Sequence, residues 1–293
     1  MPDKKTVASC ICCEDSSPSL LFIKRTEKGE FPILVCPSCG TSFVWPRPEK
    51  DLTTAYYESA SYSHLTYDQV AKLELRYHPN SSMDTERIIG RCRKLARGAS
   101  FLDVGAGFGH YSRRAVQLGF NVSACEPSPS ARSVFLQMNG FKPDACCFDE
   151  VYSKKHQEEF DVVLLSQVLE HVCDPQETVC RIHVVLQDGG IAVIAVPHYG
   201  SALSRIQGER DMFISPPEHL NFFSKRGLII LLERHGFKLE VLETVSKVNR
   251  GRIETAVRIP VLSQMCWVGL YAALKLCETV GMGMVINAYF RKI

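Results

Sequence analysis

From residue 101 onward, short apolar runs alternate with stretches whose apolar positions recur at helical spacing. The runs at 101–104, 121–125, 144–148, 160–165, 189–197 and 237–245 predict strands, and 284–293 predicts a last one. Between them, 110–118, 128–139, 225–235 and 260–276 predict helices, with Gly236 closing the one at 225–235. Residues 160–165 (FDVVLL) are apolar almost throughout, as a central parallel strand covered on both faces must be. Strand and helix in alternation predict an α/β fold, a Rossmann-like doubly wound sheet.

The region before this alternation reads differently. Two C-x-x-C pairs, Cys10 with Cys13 and Cys36 with Cys39, flank 22 residues rich in strand formers (LLFIK, FPILV). Four thiolates so spaced describe a tetrahedral site. Zinc suits it, because it accepts four sulfurs without redox chemistry and cross-links a module too small to hold a core. Cys12 is an alternative to Cys13 in the first pair. The expected organisation is therefore a structural zinc ribbon over 1–48, ended by the stiff segment Trp45-Pro-Arg-Pro48. A helical linker or lid follows over 49–96, and the main domain over 97–293. Tyr56, Tyr57, Tyr62 and Tyr67 open the linker, where they either fold over a site or dock the segment onto the core. Ile88, Ile89, Cys92 and Leu95 predict a helix over 83–95.

With 45% apolar and 23% charged residues in 293, the chain can bury the core of one ordinary domain plus a small accessory one. A formal net charge of +2 argues against a dedicated nucleic-acid binder, which would carry a basic stripe. The first residues hold no apolar run of signal-peptide length, so a cytoplasmic location is expected. In that setting thirteen cysteines argue for thiols and metal rather than disulfides. Cys92, Cys125, Cys146, Cys147, Cys173, Cys180, Cys266 and Cys277 read as small buried apolar residues. The apolar stretch 261–276 is too short for a transmembrane span, since Lys275 and Glu278 interrupt it before the ~20 residues a bilayer requires. It is expected to pack on the core or form a homodimer face, with a membrane-touching face for a lipid-linked acceptor as the other reading.

The richest stretch is FLDVGAGFG, 101–109. Glycines at 105, 107 and 109 let the turn take positive φ and bring backbone close to a ligand. Their G-x-G-x-G spacing, unlike G-x-G-x-x-G, suits a nucleoside without a pyrophosphate. Glu126 follows about 20 residues later, where a carboxylate accepts hydrogen bonds from both ribose hydroxyls. Asp149, at the end of the next predicted strand, is either an acceptor for an adenine amino group or a solvated loop acid.

LDVGAGFG with SACEPS, and then FDVVLLSQVLEHVCDP at 160–175, resembles the class I S-adenosylmethionine (SAM)-dependent methyltransferases. The resemblance covers about 97–293. It implies a reversed final edge strand, a helix opening near Asp174 and Pro175, and SAM at the carboxyl ends of the first, second and fourth strands. It also implies a cofactor site of Asp103, Gly105, Ala106, Gly107, Gly109, Glu126, Pro127, Asp149, Ser166 and Gln167. Some such enzymes bind a divalent cation through E-x-x-E-H. Gln167 stands at the first position here, so Glu170 and His171 are expected to pack or fix the loop.

PPEHLNFFS, 216–224, resembles the E-H-x-x-[FY]-F-S segment of methyltransferases acting on sugars, prenylated rings and other small acceptors. His219 is the expected general base, since imidazole titrates near neutral pH and an attacking hydroxyl must lose a proton. Glu218 is expected to orient it. The implied function is SAM-dependent methylation of a hydroxyl, or a carbon, of a small molecule, sugar or glycolipid. The alternatives are a zinc-ribbon rRNA methyltransferase and a non-catalytic module of the same fold.

Overall fold

The computed structural model describes residues 8–48, 79–246 and 260–293. The four linker tyrosines and the rest of the expected lid at 49–78 lie outside the described residues.

The main sheet is built from β4 (Ser100–Val104), β5 (Asn121–Cys125), β6 (Phe160–Ser166), β7 (Leu186–Pro197), β9 (Phe237–Val245) and β10 (Val285–Lys292). Their spatial order is β5-β4-β6-β7-β10-β9. The first four pair in parallel, and β10 runs antiparallel to both β7 and β9. The reversed last strand is present and lies one place in from the border, with β9 outermost.

Period-two alternation sorts the strand residues into two layers. Phe101, Val162, Leu164, Ile191, Val193 and Tyr289 pack with Ile88, Ile89 and Cys92 of α1 (Pro79–Leu95). Their neighbours Leu102, Val163, Leu165, Ala192, Ile194 and Phe290 pack on the other side with α5 (Pro175–Val185) and α7 (Lys225–Glu233). Helices α2 (His110–Gln117), α3 (Pro129–Asn139) and α4 (Glu150–Lys155) complete the crossovers. Caps fix the starts of α3 and α5: Ser128 accepts from the Ala131 N–H and Asp174 from the Glu177 N–H, and each precedes a proline at the first helical position. Substituting such a cap by alanine typically costs about 1 kcal/mol.

The strand expected at 144–148 does not form. Only Asp144 bridges to Cys125, and the segment then turns into α4, which Asp149 caps through the Tyr152 N–H. Cys146, Cys147 and Phe148 line a cavity instead of extending the ladder. Helix α8 (Pro260–Thr279) packs on the body mainly through Leu274, against Val245 and Met284. Met265, Val268 and Leu276 are exposed, so of the readings its composition offers, full burial in the core is the one this helix does not follow. No helix among the described residues is long and apolar enough to cross a membrane.

The N-terminal module is a hairpin of β1 (Ser19–Thr26) and β2 (Gly29–Val35), extended by β3 (Ser42–Val44). Its fourth strand is β8 (Asn221–Phe222), taken from the segment that carries Glu218 and His219. Cys10, Cys36, Cys39 and Phe43 are continuous with the core layer under α5 and α7. The stretch between β7 and β8 holds α6 (Ala202–Gln207) and a 3-10 turn over Gly208–Arg210.

Candidate active site

The glycine turn after β4 is shaped by contacts that no larger residue would permit. Gly105, at φ +64°, would place a Cβ 2.7 Å from Val168 Cγ2, and Gly109, at φ +82°, would place one 2.5 Å from the Phe135 ring. At Gly107 the space is open, so there it is the positive φ of +54° that favours glycine. The turn is tied to the end of β5, where the Gly105 and Ala106 N–H groups donate to the Cys125 carbonyl.

Glu126 closes this cradle. Its Oε2 accepts from the Gly107 N–H and its Oε1 from the Ser128 N–H, both at 2.8 Å. Each carboxylate oxygen has two lone pairs, so one on each remains for a ligand hydroxyl. Burial pushes the Glu126 carboxyl up, and the two N–H donors oppose that by favouring the charged form. Asp103 lies beneath the turn, fully buried, accepting from the Ser112 hydroxyl at 2.6 Å. Burial raises its pKa to about 7, and its place is that of a support for the start of α2.

A cavity of about 270 Å³ opens beside the cradle. Gly105, Glu126, Pro127, Asp149 and Gln167 line it, together with Val168, Val172 and Cys173. Gln167 sits at φ +57°, with its amide on the Ala195 carbonyl at 3.2 Å. Ser166 bonds to the Tyr111 side chain, and Ala106 packs on Ala124 and Phe135. Of the expected cofactor residues, then, five line the cavity; Gly107 and Gly109 belong to the turn, and Asp103, Ala106 and Ser166 pack against its neighbours. These positions fit an adenosine. Glu126 keeps acceptor capacity on both oxygens toward the cavity, and the space at Gly105 and Gly107 would be lost to a side chain.

His171, which lines the cavity, packs edge-on against His219, with ring centroids 4.7 Å apart and planes at 75°. Each Nδ1 lies against a backbone carbonyl, Glu218 O for His171 at 2.8 Å and Phe213 O for His219 at 2.7 Å. Nδ1 therefore carries the proton and Nε2 the lone pair in both neutral rings. Burial, then the neighbouring His219, lowers the His171 pKa to about 4; burial lowers that of His219 as well. The Phe213 carbonyl thus orients His219, a role expected of Glu218, whose own carboxylate forms an ion pair with Lys28 of the ribbon.

Glu170 is fully buried and has no hydrogen-bond partner on either oxygen among the described residues. Burial raises its pKa to about 8, so it is protonated at neutral pH. Its ligand atom and those of His171 and His219 lie within 4.8 Å of one another, a grouping that could hold a metal ion. The sequence predicts only packing or fixing of the loop for Glu170 and His171. The signal for the grouping is the acid–histidine pair followed, some fifty residues on, by a second one.

Cys10, Cys13, Cys36 and Cys39 form the other candidate metal group. The Cys10–Cys39 and Cys13–Cys36 sulfurs are 3.5 Å apart. Tetrahedral zinc with bonds of about 2.3 Å requires sulfurs about 3.7 Å apart, so the four residues fit a zinc ion. Cys12 faces Thr41 instead, which answers the choice between Cys12 and Cys13.

A glycine turn after the first strand, bridged by a carboxylate at the end of the second, defines a nucleoside-binding α/β protein. The chain belongs to the methyltransferase-domain family, whose profile matches residues 81–242. In fold and family it is a class I SAM-dependent methyltransferase. Among curated relatives, a ubiquinone biosynthesis O-methyltransferase of Caulobacter vibrioides is 31% identical over 139 residues, covering 44% of this chain and 54% of that protein. One of Azoarcus sp. is 29% identical over 170 residues, covering 52% and 72%. The chain thus spans only about half the length of the first of these relatives. SAM-dependent methyltransferases of Thermotoga maritima (TM-score 0.54, 16% identity, 77% of this chain and 95% of that one) and Archaeoglobus fulgidus (0.53, 17%, 76% and 99%) share the fold.

Proposed function

We propose that this protein transfers the methyl group of SAM to a hydroxyl of a small molecule, with ring, sugar and lipid-linked hydroxyls as the acceptor class. The observation that carries this reading is the adjoining of two half-sites: a carboxylate-bridged glycine cradle, and a pair of half-buried neutral imidazoles of which one, His171, lines the same cavity. The O-methyltransferase names of the curated relatives favour oxygen over carbon as the atom methylated.

SAM supplies an electrophilic methyl carbon on a sulfonium. Glu126 would hold the ribose hydroxyls, the 105–109 backbone the methionine side, and Asp149, through the oxygen not used in capping α4, the adenine amino group. The acceptor oxygen attacks in line, the sulfur–carbon bond breaks, and S-adenosylhomocysteine leaves. The hydroxyl proton passes to the Nε2 of His219 or of its neighbour His171, both neutral at pH 7. Positioning the two reactants supplies most of the acceleration. The four-cysteine ribbon would hold structural zinc.

The test uses SAM labelled in its methyl group. With the purified protein present, label should pass from SAM into small-molecule, sugar or lipid fractions of a cell extract, and this transfer should vanish with Glu126→Ala. Transfer into RNA, falling steeply with salt, would sink this reading in favour of rRNA methylation. Absence of S-adenosylhomocysteine binding by calorimetry would leave a non-catalytic module.

A further inference from the structure

We propose that Arg47 is a positioning residue, whose guanidinium staples together the two backbone segments that carry His171 and His219. The proposal rests on the reading of those rings as the acceptor side of the site.

Arg47 belongs to the segment that the sequence presents as a stiff linker, and yet it reaches across to the main domain. Its Nε donates to the Cys173 carbonyl at 3.0 Å and its Nη1 to the Leu220 carbonyl at 3.2 Å. Its Nη2 serves the Val172 carbonyl at 3.0 Å, the Cys173 carbonyl at 2.7 Å and Asn221 Oδ1 at 2.8 Å. All of these acceptors are neutral dipoles, and they come from two stretches, 172–173 and 220–221. The first follows His171 directly and the second follows His219 directly.

Asn221 completes the staple from the other side. Its amide donates to the Leu169 and Val172 carbonyls, both at 2.9 Å, while its oxygen receives Arg47. The backbone N–H groups of Leu220 and Asn221 both donate to the Glu170 carbonyl. The edge-on packing of the two rings is thus set by a lattice of bonds centred on one side chain from the ribbon. Only arginine has the planar, multi-donor fork for such a bridge; lysine would keep the charge and lose the second segment.

The ribbon holds Arg47 in place from behind. The Val44 N–H donates to the Leu220 carbonyl and Ser42 pairs with Phe222, so β3 runs into the staple. The Ser224 hydroxyl donates to the carbonyl of Cys39, one of the four clustered cysteines, at 2.6 Å.

The experiment observes the rings directly, by heteronuclear NMR of histidine-labelled protein, without acceptor. It can therefore fail while the proposed methyl transfer stands, or succeed while that fails. Edge-on rings shift one another's ring protons, so Arg47→Lys is expected to move the His171 and His219 signals and leave those of the distant His183 and His235 in place. The Leu220 and Asn221 amides should exchange about tenfold faster as their local protection is lost. Unmoved His171 and His219 signals in a folded Arg47→Lys protein would overturn the proposal. Asn221→Ala is the milder variant should Arg47→Lys not fold, and it should move the same two signals. A double variant should shift them no further than Arg47→Lys alone, because the two residues act as one unit; shifts that simply add would overturn the proposal.

Discussion

Glu126 and Glu170 are both buried glutamates at the same site, and they stand in opposite conditions. Glu126 has a backbone N–H on each oxygen; Glu170 has a hydrogen-bond partner among the described residues on neither. In the proposed cofactor half the carboxylate is held by the N–H groups of Gly107 in the glycine turn and of Ser128 at the start of α3. The acceptor half keeps polar capacity in reserve beside two imidazoles. Such an arrangement suits a site whose donor is fixed by the fold and whose acceptor, or a cation, brings the missing partner.

The strongest way to break this comparison is Glu126→Ala. It strands two backbone donors and removes two charge-assisted bonds of about 1.5–3 kcal/mol each. S-adenosylhomocysteine affinity by calorimetry should fall by roughly 100-fold or more, and unchanged affinity would remove the cradle from the site. Glu170→Gln sharpens the contrast through pH. An unfolded glutamate ionises near pH 4.5 and the folded one near 8, so the folded state binds the extra proton between those values. Its stabilisation is complete below about 4.5 and lost as pH rises through 8. The variant should therefore be the more stable protein at pH 8, by at least ~1 kcal/mol, with a flatter profile in denaturant titrations. A wild-type advantage at pH 8 in metal-free buffer would contradict a buried neutral carboxyl.

Ser112→Ala tests the support beneath the cradle. It takes from Asp103 its hydroxyl donor and should cost about 1 kcal/mol of stability, with a smaller loss of S-adenosylhomocysteine affinity than Glu126→Ala. The smallest effect belongs to Lys28→Ala at the ribbon's ion pair with Glu218. Both side chains are partly solvated, so thermal unfolding should register well under 1 kcal/mol.

The cofactor half was legible in sequence because its chemistry is local. A glycine turn and a carboxylate about 20 residues on belong to one strand–helix–strand unit, and periodicity marks that unit. The continuous apolar runs of β6 and β7 likewise mark strands covered on both faces. Residues 144–148 misled because an apolar run there serves the cavity and not the ladder: Cys146, Cys147 and Phe148 turn towards the ligand space. The acceptor half was legible only as residue types. Glu218, His219 and the Glu170–His171 pair stand out, but their mutual placement depends on Arg47 and Asn221, whose contacts span more than 120 residues in one case and about 50 in the other. No periodicity carries such information.

The pairing of β3 with β8 has a consequence for the nascent chain. Ser42 leaves the ribosome long before its partner Phe222. At roughly 5–20 residues per second, that interval of about 180 residues lasts on the order of 10–40 s. During it the hairpin exists with its last strand missing and Arg47 without its acceptors at 220–221. The four cysteines can gather an ion in that time, and the closing of the sheet must then wait for translation to pass residue 222. The ribbon is made well before the strand that finishes it, and pulse-labelled chains arrested before and after that point should differ in how readily protease cuts between residues 8 and 48.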